Sequence, residues 1–249
     1  MGEFAKNITP NQGSARRSLS KSPQLDVSLG VYHDGSTVTV NLDETPALLV
    51  TGTTGSGKSA FVKTMATELI RRNAPQELRL AVFDSSRVEY KCLLSIPYMF
   101  YPTARDPQEF ERLAGIVSTE SERRLRLLTR QGQTDLEHLL VIIDDIAAAE
   151  PAMETLAALE RSLQTARLTK MHFVFVTSTP SSRALTLALM SNTDLRVSFR
   201  VTSRAESRSV LGCPDASSLA TPGEMIVRDA GVYTRCSATW NMRPSGRFH

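Results

Sequence analysis

ALLVTGTTGSGKSAFVKTMATELIRR, residues 47–72, decides the fold. Its first five residues are almost wholly apolar, the composition of a short strand covered on both faces. The next eight, Gly52-Thr53-Thr54-Gly55-Ser56-Gly57-Lys58-Ser59, satisfy G-x-x-x-x-G-K-[ST]. Ala60 then leads into a stripe of Phe61, Met65 and Leu69 at helical spacing, with Arg71-Arg72 suited to a last helical turn. Strand, glycine-rich turn and helix in this order make a phosphate cradle (the Walker A pattern). Glycines let the backbone curl so that successive N–H groups point at phosphate oxygens. Lys58 brings a point charge to the β- and γ-phosphates and Ser59 can ligate Mg2+. The helix aims its positive end at the same anion. Residues 52–60 are therefore expected to grasp a triphosphate with its metal.

Working outward, strands alternate with helices. LRLAVFD (78–84) reads as a strand, and Asp106-Pro107 caps a long helix running towards Gly132. LLVIIDD (139–145) is a third buried strand. Pro151 opens a helix with Met153, Leu156, Leu159 and Leu163 along one stripe; HFVFVT (172–177) and LRVSFR (195–200) follow as strands. Upstream, VSLG and STVTVNL form a β-ribbon turning at Asp34-Gly35. Repetition of this kind implies parallel pairing with right-handed crossovers, hence a three-layer α/β domain with a mainly parallel central sheet, spanning 25–242. Residues 1–24, poor in large apolar groups and carrying Lys6, Arg16, Arg17 and Lys21, read as a flexible basic tail whose opening MGEF fits a cloning remnant. Residues 243–249 read as a second flexible tail.

On the LLVIIDD strand, Asp144 and Asp145 fall at the carboxyl end, where ligands bind in parallel sheets. Asp144 suits the magnesium shell and Asp145 the polarisation of an attacking water. Little else in the composition points to chemistry. The 249 residues are 41% hydrophobic with a net charge of +3, and that charge alone argues only weakly for nucleic acid. No run of 18 apolar residues exists to span a membrane, and Cys92, Cys213 and Cys236 make no disulfide framework, so a reduced, cytoplasmic setting is expected. Histidines 33, 138, 172 and 249 show no metal-ligand spacing with those cysteines, and no zinc site is expected. Trp240 and the sparse aromatics offer no stacking platform for single strands. Arg123, Arg124, Arg126 and Arg130 read as a solvated or interface helix face, offset by Glu120 and Glu122.

With these residues in hand, the chain resembles the FtsK/SpoIIIE family of hexameric motor ATPases over most of residues 27–229. LLVTGTTGSGKS matches that family's phosphate loop, and VFDSSRVEYKCLLSIPYMF its D-P-K…L-E…I-P segment. SERRLRLL is similar to E-x-E-R-R-Y, VIIDD to its V-D-E strand, and TARLTKMHFVFVTSTPS to K-A-R-A-x-G-I-H…A-T-Q-R-P-S. LRVSFRVTSRAESRSVLG and PGEMI resemble the closing motifs. The resemblance implies a RecA-like fold, ATP with Mg2+, self-association into a hexameric ring, and movement of double-stranded DNA through it. It also implies nucleotide sites at subunit interfaces completed by a neighbour's arginine. Arg123, Arg124, Arg167 and Arg208 fall on arginines of matching motifs, and Arg124 and Arg167 join Lys58 and Asp145 in the expected catalytic set.

Departures from the family pattern bear on rate. Asp145 stands where the family has a catalytic Glu, Ser178 where it has the Gln that senses the γ-phosphate, and Ser85-Ser86 where it has Pro-Lys. Losing one methylene draws a carboxylate back by about 1 Å, and such misplacement can cost about 100-fold in rate. Two other readings follow: a type VII secretion ATPase module moving protein substrates, and a nucleotide-locked binding module without hydrolysis. The family's winged-helix module and membrane-spanning segments have no counterpart here, so the expected chain is a cut-out motor domain or a small stand-alone relative.

Overall fold

Alternation along the central strands sorts their side chains to two faces, and each face is covered by helices. The computed structural model describes residues 24–93, 97–132, 135–180 and 187–239. The two tails expected from the sequence, apart from Gln24, lie outside them, as does Trp240. In chain order the elements are β1 (Asp26–Val31), β2 (Thr37–Asn41), β3 (Ala47–Thr51), α1 (Lys58–Arg72), β4 (Leu78–Asp84), α2 (Pro107–Gln131), β5 (His138–Asp144) and α3 (Met153–Gln164). There follow the single turn α4 (Ala166–Thr169), β6 (Met171–Thr177), α5 (Leu187–Ser191), β7 (Leu195–Phe199), α6 (Arg204–Leu211), β8 (Glu224–Asp229) and β9 (Val232–Ser237).

The described residues form one nine-stranded sheet in the order β2-β1-β9-β8-β7-β3-β6-β5-β4. From β7 to β4 the strands are parallel, while β8, β9, β1 and β2 extend one side in antiparallel pairing. Every residue of β3, β5 and β6 is buried. In β3, Leu48 and Val50 join Phe61, Val62, Met65, Ala66 and Leu69 of α1 on one face. Ala47 and Leu49 join Phe110, Leu113 and Val117 of α2 and Leu156, Leu159 and Leu163 of α3 on the other. These are the three layers expected. Among the described residues no helix is long and apolar enough to cross a membrane.

Local chemistry sets the boundaries. Asp106 accepts the Glu109 N–H at 2.8 Å to start α2 beside Pro107, and Gly132 ends it in the left-handed region. Met153 departs from the expected stripe: it is 70% exposed, because it lies about 90° around α3 from the centre of the buried face. The β8–β9 hairpin, unread in the sequence, turns at Ala230 and Gly231, both with positive φ, the geometry of a tight hairpin.

Candidate nucleotide-binding site

The loop between β3 and α1 is shaped by backbone demands before any ligand is considered. Gly52 has φ 146°, and a Cβ there would sit 2.7 Å from both the Phe199 Cβ and the Ser56 Oγ, so only glycine fits. Gly57, φ 116°, caps α1 in a left-handed conformation without a side chain in the way. Bonds to neighbouring strands fix the loop from behind. Thr53 N–H donates to the Arg200 carbonyl at 2.7 Å, and the Ser56 carbonyl accepts the Gly223 N–H at 3.1 Å. Gly52, Thr53 and Ser56 thus build the frame, while Thr54, Gly55, Gly57, Lys58, Ser59 and Ala60 line a cavity of about 370 Å³.

Asp144, Asp145 and Ser178 line that cavity from the strand side. They arrive there because β6 lies between β3 and β5, so the carboxyl ends of all three parallel strands open onto one space. Lys58 Nζ is buried and donates to the Gly52 carbonyl at 2.8 Å and the Thr53 carbonyl at 2.9 Å. Desolvation lowers its pKa, against the pull of Asp144 and Asp145. Burial likewise raises the pKa of Asp144, against the pull of the nearby Tyr90 and Ser59 hydroxyls and of Lys58. Asp145 stands just past the strand at φ 62°, with Oδ1 buried and without a hydrogen-bond partner. A carboxylate with an orphaned oxygen, on a residue that lines a cavity, is a group held for something not in the chain. Ser59 and Asp144 together present a hydroxyl and a carboxylate, the hard oxygen donors that Mg2+ takes.

Ser85, Ser86 and Glu89 also line the cavity. They were not among the expected site residues. The signal was Asp84: its Oδ1 accepts Ser86 Oγ at 2.6 Å and the Arg87 N–H at 3.1 Å, and its Oδ2 the Tyr90 N–H at 3.2 Å. This side chain folds the turn after β4 over the nucleotide loop, as Asp followed by Ser can do.

The arginines divide. Arg167 and Arg208 are exposed, and Arg123, 48% exposed, is held by Glu120 at 2.7 Å. None of them lines this chain's own cavity. Arg124 corrects the expectation of a catalytic arginine. It is fully buried, with Nε on Glu120 at 2.6 Å and Nη1 donating to the carbonyls of Glu137 at 2.6 Å and Thr169 at 3.1 Å. A guanidinium so saturated clips α2 to the starts of β5 and β6 and cannot reach a neighbour's phosphates.

Comparison with known proteins fits this geometry. The model of the FtsK/SpoIIIE family matches residues 12–242. The chain belongs to that family. It is 31% identical to a DNA translocase FtsK of Tropheryma whipplei, across 92% of this chain and 34% of that protein. To a DNA translocase FtsK of Helicobacter pylori it is also 31% identical, across 86% of this chain and 27% of that one. The chain thus spans between about a quarter and a third of the length of these FtsK relatives. Among solved structures, the cytoplasmic domain of the type VII secretion ATPase EccC of Thermomonospora curvata superposes with a TM-score of 0.78 at 20% identity, over 93% of this chain and 30% of that one. The pCW3 conjugation coupling protein TcpA, solved as a monomer form with ATPgS, gives 0.71 at 20% identity, over 94% of this chain and 77% of that one. At such identity the likeness shows the fold, a RecA-like P-loop ATPase architecture.

Proposed function

We propose that this FtsK/SpoIIIE domain binds Mg-ATP in the cavity between residues 52–60 and the Asp144-Asp145 pair, hydrolyses it, and couples turnover to movement of double-stranded DNA through a hexameric ring. The observation that carries this reading is the convergence of Lys58, Ser59, Asp144 and Asp145 on one cavity at the carboxyl ends of β3 and β5. Ser59 and Asp144 would hold Mg2+, which supplies charge neutralisation at the β- and γ-phosphates. Lys58 releases its two loop carbonyls to meet the triphosphate, and the loop N–H groups follow. Asp145 orients the attacking water, and Ser178 contacts the γ-phosphate end of the cavity.

Among the described residues that line this cavity Lys58 is the one cation, and the remaining charge at the transferring phosphoryl group calls for another. Arg167, exposed in α4 at the opposite end of the sheet, is free to enter a neighbouring subunit's site, and so is Arg208. The motor domain would correspond to residues 25–242, with the flanking tails outside it.

The deciding measurement is ATP turnover with and without duplex DNA at two salt concentrations. Duplex DNA is expected to raise the rate, and the stimulation should weaken steeply with salt because phosphate contacts release counterions. Turnover indifferent to DNA at low salt would overturn the DNA-motor reading and leave protein substrates; binding of ATP without turnover would select a locked nucleotide module.

A further inference from the structure

At the amino ends of β5 and β6, away from the nucleotide cavity, sits a polar cluster that the motor chemistry does not use. His138 opens β5, His172 is the second residue of β6, and Asp43 lies in the turn between β2 and β3. Both imidazoles are buried, 2% and 1% exposed, while Asp43 faces solvent. The rings meet edge to edge: their centroids are 5.1 Å apart with planes only 21° from parallel, and His138 Nδ1 lies 2.8 Å from His172 Nε2. Two imidazole nitrogens this close need a proton or a cation between them, since two lone pairs would repel. The other nitrogen of His172, Nδ1, is 3.0 Å from the Leu42 carbonyl oxygen and must donate its proton there. That bond makes Nε2 a lone pair and fixes the ring, the arrangement in which a carbonyl orients a ligating histidine.

Asp43 Oδ1 is 3.6 Å from His138 Nδ1, and the three ligand atoms lie within 4.8 Å of one another. Two imidazole nitrogens and a carboxylate oxygen suit a borderline transition ion. Tetrahedral ligation with metal–nitrogen bonds of about 2.0–2.1 Å spaces neighbouring ligand atoms by about 3.3 Å. To reach that geometry the imidazole pair must open by about 0.5 Å and each ring must tilt off the line joining the two nitrogens, while Asp43, on an exposed turn, closes in. Of the cations nearby, Arg124 is balanced by Glu120 at 2.6 Å and Glu137 at 3.4 Å; Lys170 immediately precedes β6.

We propose that Asp43, His138 and His172 form a three-ligand site for Zn2+ or a similar divalent transition ion, clipping the β2–β3 turn to the starts of β5 and β6. It lies the length of β5, about 20 Å, from Asp144, so it can be read without nucleotide. The probe is Co2+, whose tetrahedral complexes absorb in the visible, added to the full chain in chelator-free buffer lacking nucleotide. One equivalent should bind with a visible band that Zn2+ displaces, and the thermal midpoint should climb with free Zn2+. Asp43→Asn, on the exposed turn, should weaken binding by about tenfold or more, and His138→Gln should remove the band. No uptake at micromolar metal, or uptake undiminished in a folded Asp43→Asn variant, overturns the site.

Discussion

At the carboxyl ends of β3 and β5, Lys58 is tied only to carbonyls of its own loop and Asp145 keeps an oxygen with no partner. At the amino ends of β5 and β6, Arg124 is just as buried but saturated, bonded to Glu120 and to carbonyls of two strand starts. Both ends hold desolvated charge in one sheet. They differ in whether the partners already lie within the chain. A buried charge with intramolecular partners holds elements together; one with a vacancy facing a cavity awaits a ligand. This criterion sorts the arginines of the family's motifs better than motif membership does, since Arg124 and Arg167 both match motifs and only Arg167 is free to meet another molecule.

The largest expected effect breaks the saturated end. Arg124→Ala leaves the Glu137 and Thr169 carbonyls without their donor beside a cavity and Glu120 with Arg123 alone, and such a loss costs about 3–5 kcal/mol. In a domain of this size that lowers the melting temperature by roughly 10 °C, while ATP affinity of the folded variant stays as it was. Acid attacks the same clip. Burial opposes ionisation of Glu120, but bonds from Arg123 and Arg124 outweigh it and hold the carboxyl below its ordinary 4.5. The stabilisation is therefore complete above about pH 4.5 and is lost as pH falls through the lower folded value. Arg124→Ala should flatten that part of the pH–stability curve; an unchanged curve would mean that the clip contributes nothing.

Next in size is the open end. Lys58→Ala should weaken ATP binding by about 100-fold or more, as removal of one preorganised charge does at a phosphoryl site, with a melting temperature close to that of the parent. Calorimetry with Mg-ATP reads the first and a thermal scan the second. If the two variants exchanged phenotypes, so that Lys58→Ala unfolded the chain and Arg124→Ala lost ATP, the distinction between the ends would be wrong.

Most of the fold was legible because β3, β5 and β6 are short, apolar and bounded by clear caps. The phosphate loop was legible in full, for each of its glycines answers a backbone demand visible in the pattern. The role of Arg124 was missed although its position was readable: Phe110, Val117 and Arg124 are spaced by seven, which places the arginine on the buried stripe of α2. A charged residue on an apolar stripe signals a satisfied internal partner, and Glu120 one turn earlier was that partner. The meeting of His138 with His172 was not legible, since it depends on β5 and β6 being neighbours, which spacing along the chain does not disclose. Ser85, Ser86 and Glu89 came to the cavity through the Asp84 turn, an effect of tertiary position rather than of pattern.

The smallest predicted effect, and the sharpest, concerns Asp145. Its left-handed backbone suits Asp, whose short polar side chain tolerates that region better than longer side chains do. Asp145→Glu should therefore cost up to about 1 kcal/mol of stability, a shift of a few degrees in melting temperature. The longer side chain nevertheless carries the carboxylate about 1 Å further into the cavity, nearer to where water meets the γ-phosphate. Since misplacement on this scale can cost as much as about 100-fold, a gain of about tenfold in ATP turnover is expected. Opposite signs in the two readouts are what a vacancy held for catalysis requires. A variant that lost stability and gained no rate would assign Asp145 to the turn alone, and the contrast between the two ends of the sheet would then rest on Lys58.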